Sequence, residues 1–398
     1  MKKMNLTDAW SVSGTDLEGL KEAISDIAER TEIIPFCNKT AVPTDGIYTL
    51  QSYDKEKDLL IMSRDGKQMA SMRGLQEKID DYADFFVNEI MHSTKCMIRN
   101  ENVGYFLSEY AYLTLTQRVG MGTSISDSSF ERDRFLERRM KNGEENWTIC
   151  VRKDGVVKKI FGCFTSEYSS ISQKIVSDLC EAFAGKTDIG SGIVGAWTIS
   201  HTKTQVDVAF PDAATEISRT YEKPEVYTPT VRIITSDIGH HPFCIQALLV
   251  KSTGREILIA EQNIRHRGKR DITTKFVMNK VEKVLYPEFT KLPSQLMALT
   301  MIPVENPETF IDMLAKKGGF AKVLGKDLSA KMTGLLKGTV NPEDSYNAYD
   351  IVSMFMELPE RIGGIPEYLT EPFSKLCGSI PYVVSVPDLT PEPELYLI

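Results

Sequence analysis

The fold is decided by residues 230–270, whose sequence is TVRIITSDIGHHPFCIQALLVKSTGREILIAEQNIRHRGKR. Runs rich in Val, Ile, Leu and Thr that are bounded by turn residues are typical of β-strands, and we predict strands on both sides of a turn over 251–256. A polar turn, Ser236-Asp237-x-Gly239-His240-His241, interrupts these runs, and the segment ends in a basic cluster. The segment therefore holds the main candidates for both recognition and chemistry.

The sequence on the N-terminal side of this segment predicts a β-hairpin and then a helix. Residues 147–151 and 156–164 are β-patterned, and Asp154-Gly155 between them can supply the positive backbone angles of a tight turn. Four apolar residues at helical spacing then predict one buried helix face: Ile171, Ile175, Leu179 and Phe183.

At the level of the whole chain, these patterns predict an α+β protein with a central, mainly antiparallel sheet, flanking helices and a helical C-terminal lobe. We divide it into a mixed N-terminal segment (1–68), a central α+β domain (69–270), a helical lobe (271–386) and an acidic tail (387–398). The polar stretch 211–229 is interpreted as a long surface loop.

Composition narrows the class of protein. The chain has 398 residues, of which 42% are hydrophobic, a formal charge of −8 and a pI near 5.4. This is ordinary for a globular protein, and it argues against a continuous basic surface. Seven scattered cysteines without a Cys-x-x-Cys pair suit reduced thiols. With neither a signal peptide nor a long apolar run in the sequence, we predict a cytoplasmic protein without membrane contact.

Four segments carry a resemblance to a known family. Residues 147–152, 162–168, 233–239 and 264–268 together resemble the phage- and plasmid-encoded proteins labelled "phage/plasmid-like protein", a domain of unknown function. The resemblance covers residues 111–269. It implies an accessory protein of a mobile element, often encoded near DNA-processing functions, in the cytoplasm of a host cell if the element is a phage. It implies no catalytic mechanism.

The chain departs from the pattern of that family in two places. Ser166-Glu167-Tyr168 is one residue shorter than the Ser-Asp-x-Tyr pattern, and Leu248–Lys251 stands where a Cys-x-Asn-Gly-like segment is common. The final Arg-His-Arg-Gly, residues 265–268, matches the basic cluster of the family.

The polar turn contains residue types that could form an acid–base site. Ser236 would be the nucleophile, and Asp237 with His240 or His241 would activate it, because a hydroxyl needs an adjacent base. However, no Gly-x-Ser-x-Gly sequence frames the serine, and Ser and Asp in such turns usually bond their own backbone. We therefore rank an enzyme last, name no catalytic residue and predict no cofactor.

A metal site is the second chemical alternative for this segment. His240, His241, Cys244 and His266 are zinc-ligand types that paired strands could bring together. Neighbouring strand residues point to opposite faces, however, and Pro242 favours a loop or an edge. We predict no metal site.

The basic cluster is the strongest candidate for function. Basic residues outnumber acidic ones between residues 265 and 283: they are Arg265, Arg267, Lys269, Arg270, Lys275, Lys280 and Lys283. Such a patch can bind phosphates without reading sequence, and Phe276 and Tyr286 are aromatic residues that could stack on bases. The alternative is a solvated helix face.

The leading hypothesis is thus a non-enzymatic protein of DNA metabolism that binds nucleic acid and prefers single strands to duplexes. It could also anneal single strands, and we expect it to self-associate. The acidic tail 387–398 could recruit a protein partner or shield the basic cluster. A structural or host-interaction protein that never contacts nucleic acid, such as one that counters host defence, is the alternative.

Overall fold

The computed structural model describes residues 4–37, 47–54, 56–57, 59–64, 67–73, 96–100, 103–121, 129–143, 146–155, 157–168, 170–220, 223–264 and 272–384. In chain order, the described strands are β1 (Ser11–Gly14), β2 (Thr31–Cys37), β3 (Ile47–Asp54), β4 (Leu59–Arg64), β5 (Lys67–Arg73), β6 (Cys96–Asn100), β7 (Val103–Leu107), β8 (Asn146–Asp154), β9 (Val157–Thr165), β10 (Lys186–Thr187), β11 (Gly190–Ser191), β12 (Ile193–Ser200), β13 (Thr204–Ala209), β14 (Thr215–Ile217), β15 (Glu225–Thr235), β16 (Phe243–Lys251), β17 (Glu256–Ile264), β18 (Pro303–Val304) and β19 (Tyr346–Asn347).

The described helices concentrate in the C-terminal part of the chain. They are α1 (Leu17–Arg30), α2 (Glu109–Arg118), α3 (Ser129–Asn142), α4 (Lys174–Ala184), α5 (Thr274–Lys280), α6 (Glu288–Leu299), α7 (Pro307–Lys317), α8 (Phe320–Leu324), α9 (Lys326–Thr339), α10 (Ala348–Arg361) and α11 (Glu367–Ser379). A π-helical turn, Val281–Leu285, continues α5. No described helix has both the length and the apolar character needed to cross a membrane.

The first of two large sheets has the strand order β1-β12-β13-β15-β16-β17, with β14 paired to β15. All its pairs are antiparallel. Strand β13 alternates as a strand with one buried face should, since Val206 and Val208 are buried and their neighbours are half-buried. Strand β16 is buried along nearly its whole length, which places it inside the molecule.

The second sheet has the order β2-β8-β9-β7-β6-β3-β4-β5 and is antiparallel except between β7 and β9. The predicted hairpin forms its second and third strands: β8 and β9 pair, and Gly155 in the turn has φ +56°. Trp147, Ile149 and Val151 face a small core that α2 and α3 complete, whereas Cys150 faces the larger core. The sheet is therefore packed on both faces.

The larger core joins the first sheet to the N-terminal segment and the C-terminal helices, with members from Met4 to Val384. Helix α11 packs on β17 so closely that a Cβ at Gly378 would lie 2.3 Å from the carbonyl oxygen of Leu258. Only glycine allows this approach of helix to strand.

The predicted α+β class is confirmed, with mainly antiparallel sheets and flanking helices. The pattern at 171–183 is confirmed as helix α4, which begins at Lys174. The interpretation of 211–229 as a long loop is wrong, because β14 and the first part of β15 lie there and Tyr227 is fully buried. The division of the chain at 68, 270 and 386 stays a prediction.

Candidate functional site

The polar turn singled out in the sequence joins β15 to β16. Ser236 is buried, and its Oγ accepts a hydrogen bond of 3.1 Å from the backbone N–H of His240. Gly239 has φ +68°, and a Cβ there would lie 3.2 Å from Cε2 of Tyr168. The serine therefore fixes the backbone of its own turn, and glycine lets the turn lie against a tyrosine ring.

Asp237 does not bond the turn but neutralises an arginine from the other sheet. Both of its carboxylate oxygens accept hydrogen bonds of 2.7 Å from Nη2 of Arg152, which is fully buried in β8. The hydroxyl of Tyr168 donates to the Asp237 carbonyl oxygen over 2.9 Å. A buried guanidinium requires such a partner, so the aspartate has a structural task.

His201, which the sequence did not bring to attention, completes this buried cluster. Its Nδ1 lies 2.8 Å from Nη1 of Arg152 and its Nε2 lies 2.7 Å from the carbonyl oxygen of Asn5. Since the guanidinium only donates and the carbonyl only accepts, the ring is neutral with its proton on Nε2. Burial, with the positive charge of Arg152 beside it, lowers the pKa of His201 well below 6.5. The ring also stacks on Phe161, with 4.1 Å between ring centroids.

His240 and His241 are the last residues of the turn; His240 is exposed and His241 is half-buried. Their rings are 4.4 Å apart between centroids, and the His240 ring lies 4.6 Å from that of Tyr110. Desolvation is the main reason why both pKa values are lowered, that of His241 to about 4. Among the described residues, no hydrogen bond joins either ring to Asp237, so the hypothetical acid–base pair is not assembled.

The second chemical alternative is a metal site at His240, His241, Cys244 and His266. His266 lies outside the described residues. Within them, no group of three or more His, Cys, Asp or Glu side chains could hold a metal ion. Cys244 is buried at the start of β16, and burial raises the pKa of its thiol to about 12. In the protein as described, that thiol is therefore protonated at neutral pH.

The basic cluster divides into two parts. Arg265, Arg267, Lys269 and Arg270 lie outside the described residues. The others lie on α5 and the π-helical turn, where Lys275 and Lys283 are exposed and Lys280 is half-buried. Thr273 caps this helix by accepting a hydrogen bond from the N–H of Phe276.

One aromatic side chain lies among these lysines. The ring of Phe276 is 44% exposed, and Nζ of Lys280 lies 5.3 Å from its centroid, within the range of a cation–π contact. Tyr286, the other aromatic residue considered for stacking, is buried in the larger core, so that expectation is wrong. We call Lys275, Phe276, Lys280 and Lys283 the Phe276 face.

The sequence also missed a buried polar cluster between β15 and α10. The carboxylate of Glu225 lies 2.9 Å from Nζ of Lys251 and accepts hydrogen bonds from the hydroxyls of Tyr227, Tyr349 and Ser353. The Lys251 ammonium and the tyrosine hydroxyls outweigh desolvation and lower the pKa of Glu225 to about 2.

Two further charges close this cluster. Nη1 of Arg219 lies 3.4 Å from Glu225 and 3.3 Å from Glu357, which also contacts Lys251. Two cations therefore face two carboxylates. Each of these charges has a partner of opposite sign, and the cluster joins the sheet to the helical lobe.

Comparison with known proteins adds no relative. A scan against models of protein families found no match, and neither did searches of the curated proteins and of the solved structures. The resemblance to the phage/plasmid-like family thus stays a prediction from the four sequence segments that carry it.

Proposed function

We propose that this protein binds single-stranded nucleic acid without sequence preference, as a non-enzymatic accessory protein of DNA metabolism in the cytoplasm of the cell that hosts a mobile element. The observation that carries the proposal is the Phe276 face, an exposed aromatic ring with a lysine over it and further lysines beside it. Proteins that bind single strands combine such rings, on which bases stack, with cations that follow the phosphates.

The helix is built to hold this ring outwards. Val277, Val281 and Leu285 are fully buried and anchor α5 and the π-helical turn in the larger core. Phe276 and Lys280 are four residues apart and therefore share a face on the solvent side. An aromatic ring that is already oriented loses little conformational freedom when a base stacks on it.

Charge near the helix supports the same ligand. The segment 265–270 contributes four more basic residues directly before the helix in sequence, and Glu282 is the one acidic residue on the two helical stretches 274–285. In a chain with a net charge of −8, this local excess of positive charge favours a polyanion at this place.

The test is fluorescence anisotropy with a labelled oligothymidine and with its duplex. Stacking on an aromatic side chain contributes about 1–3 kcal/mol per base, so we expect Phe276→Ala to weaken single-strand binding about 5- to 150-fold. The control is Tyr368→Ala, which removes a 77% exposed ring from α11 and leaves affinity unchanged. Equal affinities of wild type and Phe276→Ala would contradict the proposal.

The basic segment is tested separately. Replacing Arg265, Arg267, Lys269 and Arg270 together by alanine should weaken binding to single strands and duplexes alike, because phosphate contacts carry no sequence information. Circular dichroism verifies that this variant is folded. Unchanged binding would favour the alternative of a structural or host-interaction protein.

Self-association and recruitment of a partner by residues 387–398 belong to the same proposal. The tail lies outside the described residues. Self-association is measured by sedimentation of the full chain and of a chain that ends at residue 386, and it should persist without the tail. Binding of a protein partner, in contrast, should be lost when the tail is removed.

A further inference from the structure

A small cleft opens where the turn 236–241 meets α2 and β9. It has a volume of about 370 Å³, within the usual range for small-molecule sites. Its walls include Tyr110, Arg118, Phe164, Tyr168, Gly239 and His241. None of the residues that line it is acidic.

The arginine of this cleft is solvent-exposed, and one hydrogen bond holds its guanidinium at the wall. Nε of Arg118 donates a hydrogen bond of 2.7 Å to the carbonyl oxygen of Cys163, which holds the guanidinium at the wall. No carboxylate among the described residues forms an ion pair with it. Its Nη groups are the donors that suit a phosphate or a carboxylate.

A larger groove of about 980 Å³ also contains an arginine, but the protein itself neutralises the charge of that side chain. Arg232 lines that groove, and its guanidinium donates two hydrogen bonds to Asp207 and two to Glu256, all between 2.6 and 2.7 Å. Asp207 and Glu256 therefore already accept the hydrogen bonds that this guanidinium would otherwise donate to a ligand. Arg118 is different because its charge faces a cavity without carboxylates.

Flat rings form the remaining walls. Phe164 and Tyr168 stack at 3.8 Å between centroids, and the hydrogen bond from Tyr168 to Asp237 fixes this pair. The missing side chain of Gly239 leaves the turn close to both rings. The stacking and this hydrogen bond hold the two rings in place, which lowers the entropic cost of binding a planar group.

We infer that this cleft binds a small planar ring compound that carries one anionic group, the class to which nucleoside monophosphates belong. The guanidinium of Arg118 pairs with the anion, and the aromatic walls take the ring. The inference goes beyond the proposed function, because none of these residues belongs to the Phe276 face.

Isothermal titration calorimetry of the full chain with AMP tests the inference, with adenosine and inorganic phosphate as partial ligands. We expect AMP to bind more tightly than either, since adenosine lacks the anion and phosphate lacks the ring. Hydrogen bonds to a charged group correspond to about tenfold to hundredfold in affinity, which is the loss expected for Arg118→Ala. Arg118→Lys keeps the charge but not the planar donor fork, so it should lose less.

The matched control is Arg138→Ala, which removes an exposed arginine on α3 and should leave AMP binding unchanged. Phe276→Ala should also leave it unchanged, whereas Arg118→Ala should not alter binding of the oligothymidine. The inference is overturned if AMP does not bind, if phosphate alone binds as tightly as AMP, or if Arg118→Ala binds AMP like the wild type.

Discussion

At the scale of single residues, the most consequential contact is the ion pair between Arg152 and Asp237. It links β8 of the second sheet to the turn at the end of β15 in the first, and His201 extends it to the N-terminal segment through Asn5. Its neighbours in sequence make Asp237 a candidate for an acid–base pair. In the structure, its carboxylate forms an ion pair with the guanidinium of Arg152 instead.

Removing this carboxylate should cost much of the stability of the protein. Asp237→Ala leaves the buried Arg152 without its counter-charge, and we expect the free energy of unfolding to fall by about 3–5 kcal/mol. Urea denaturation followed by circular dichroism measures it, with Asp212→Ala, an exposed aspartate, as the control. A change below about 1 kcal/mol would show that the ion pair is not structural.

The sequence predicted the turn, because Ser, Asp and Gly have local conformational preferences. It could not predict that Arg152 contacts His201 and Asp237, which lie 49 and 85 residues away along the chain. In a β-patterned run, an arginine is normally taken for a solvent-facing residue. Arg118, on helix α2, was missed because only the folded chain brings it together with the aromatic walls of the cleft.

At the scale of elements, the Glu225 cluster joins β15 to helix α10. Glu225, Tyr227 and Lys251 belong to the sheet, whereas Tyr349 and Ser353 belong to the helix. The sequence did not predict this junction because the stretch 211–229 is polar. Buried polar residues that form hydrogen bonds with one another have the same composition as a surface loop. Apolar periodicity, in contrast, correctly located α4 and the hairpin of β8 and β9.

This junction should make stability depend on acid pH. The pKa of Glu225 is about 2 in the folded protein, against 4.5 for an ordinary glutamate. The contribution of this group is thus fully present above pH 4.5 and is lost as the pH falls towards 2. Urea midpoints measured across this range should fall less steeply for Glu225→Gln than for the wild type.

A matched control for this measurement is Glu343→Gln, since Glu343 is exposed. It should keep the full acid dependence of the wild type. If Glu225→Gln and the wild type lose stability in parallel between pH 4.5 and 2, the cluster does not couple folding to the charge of this carboxylate.

At the scale of the whole molecule, the described residues form two mainly antiparallel sheets, a large shared core and a set of C-terminal helices, and one small basic, aromatic face lies on this framework. The sequence predicted the α+β class and the helical C-terminal part, because both follow from local periodicity. It could not predict that the sheet strands divide into two sheets, because that depends on long-range pairing such as β1 with β12.

The most direct test of the proposed function is the salt dependence of oligothymidine binding. We expect the logarithm of the association constant to fall linearly with the logarithm of the salt concentration, by about 0.7 for each phosphate contact. Replacing Lys275 and Lys280 together by alanine should make the slope about 1.4 less negative. The exposed pair Lys326 and Lys331 is the control. Absence of binding at low salt, or equal slopes for all three proteins, would contradict the account.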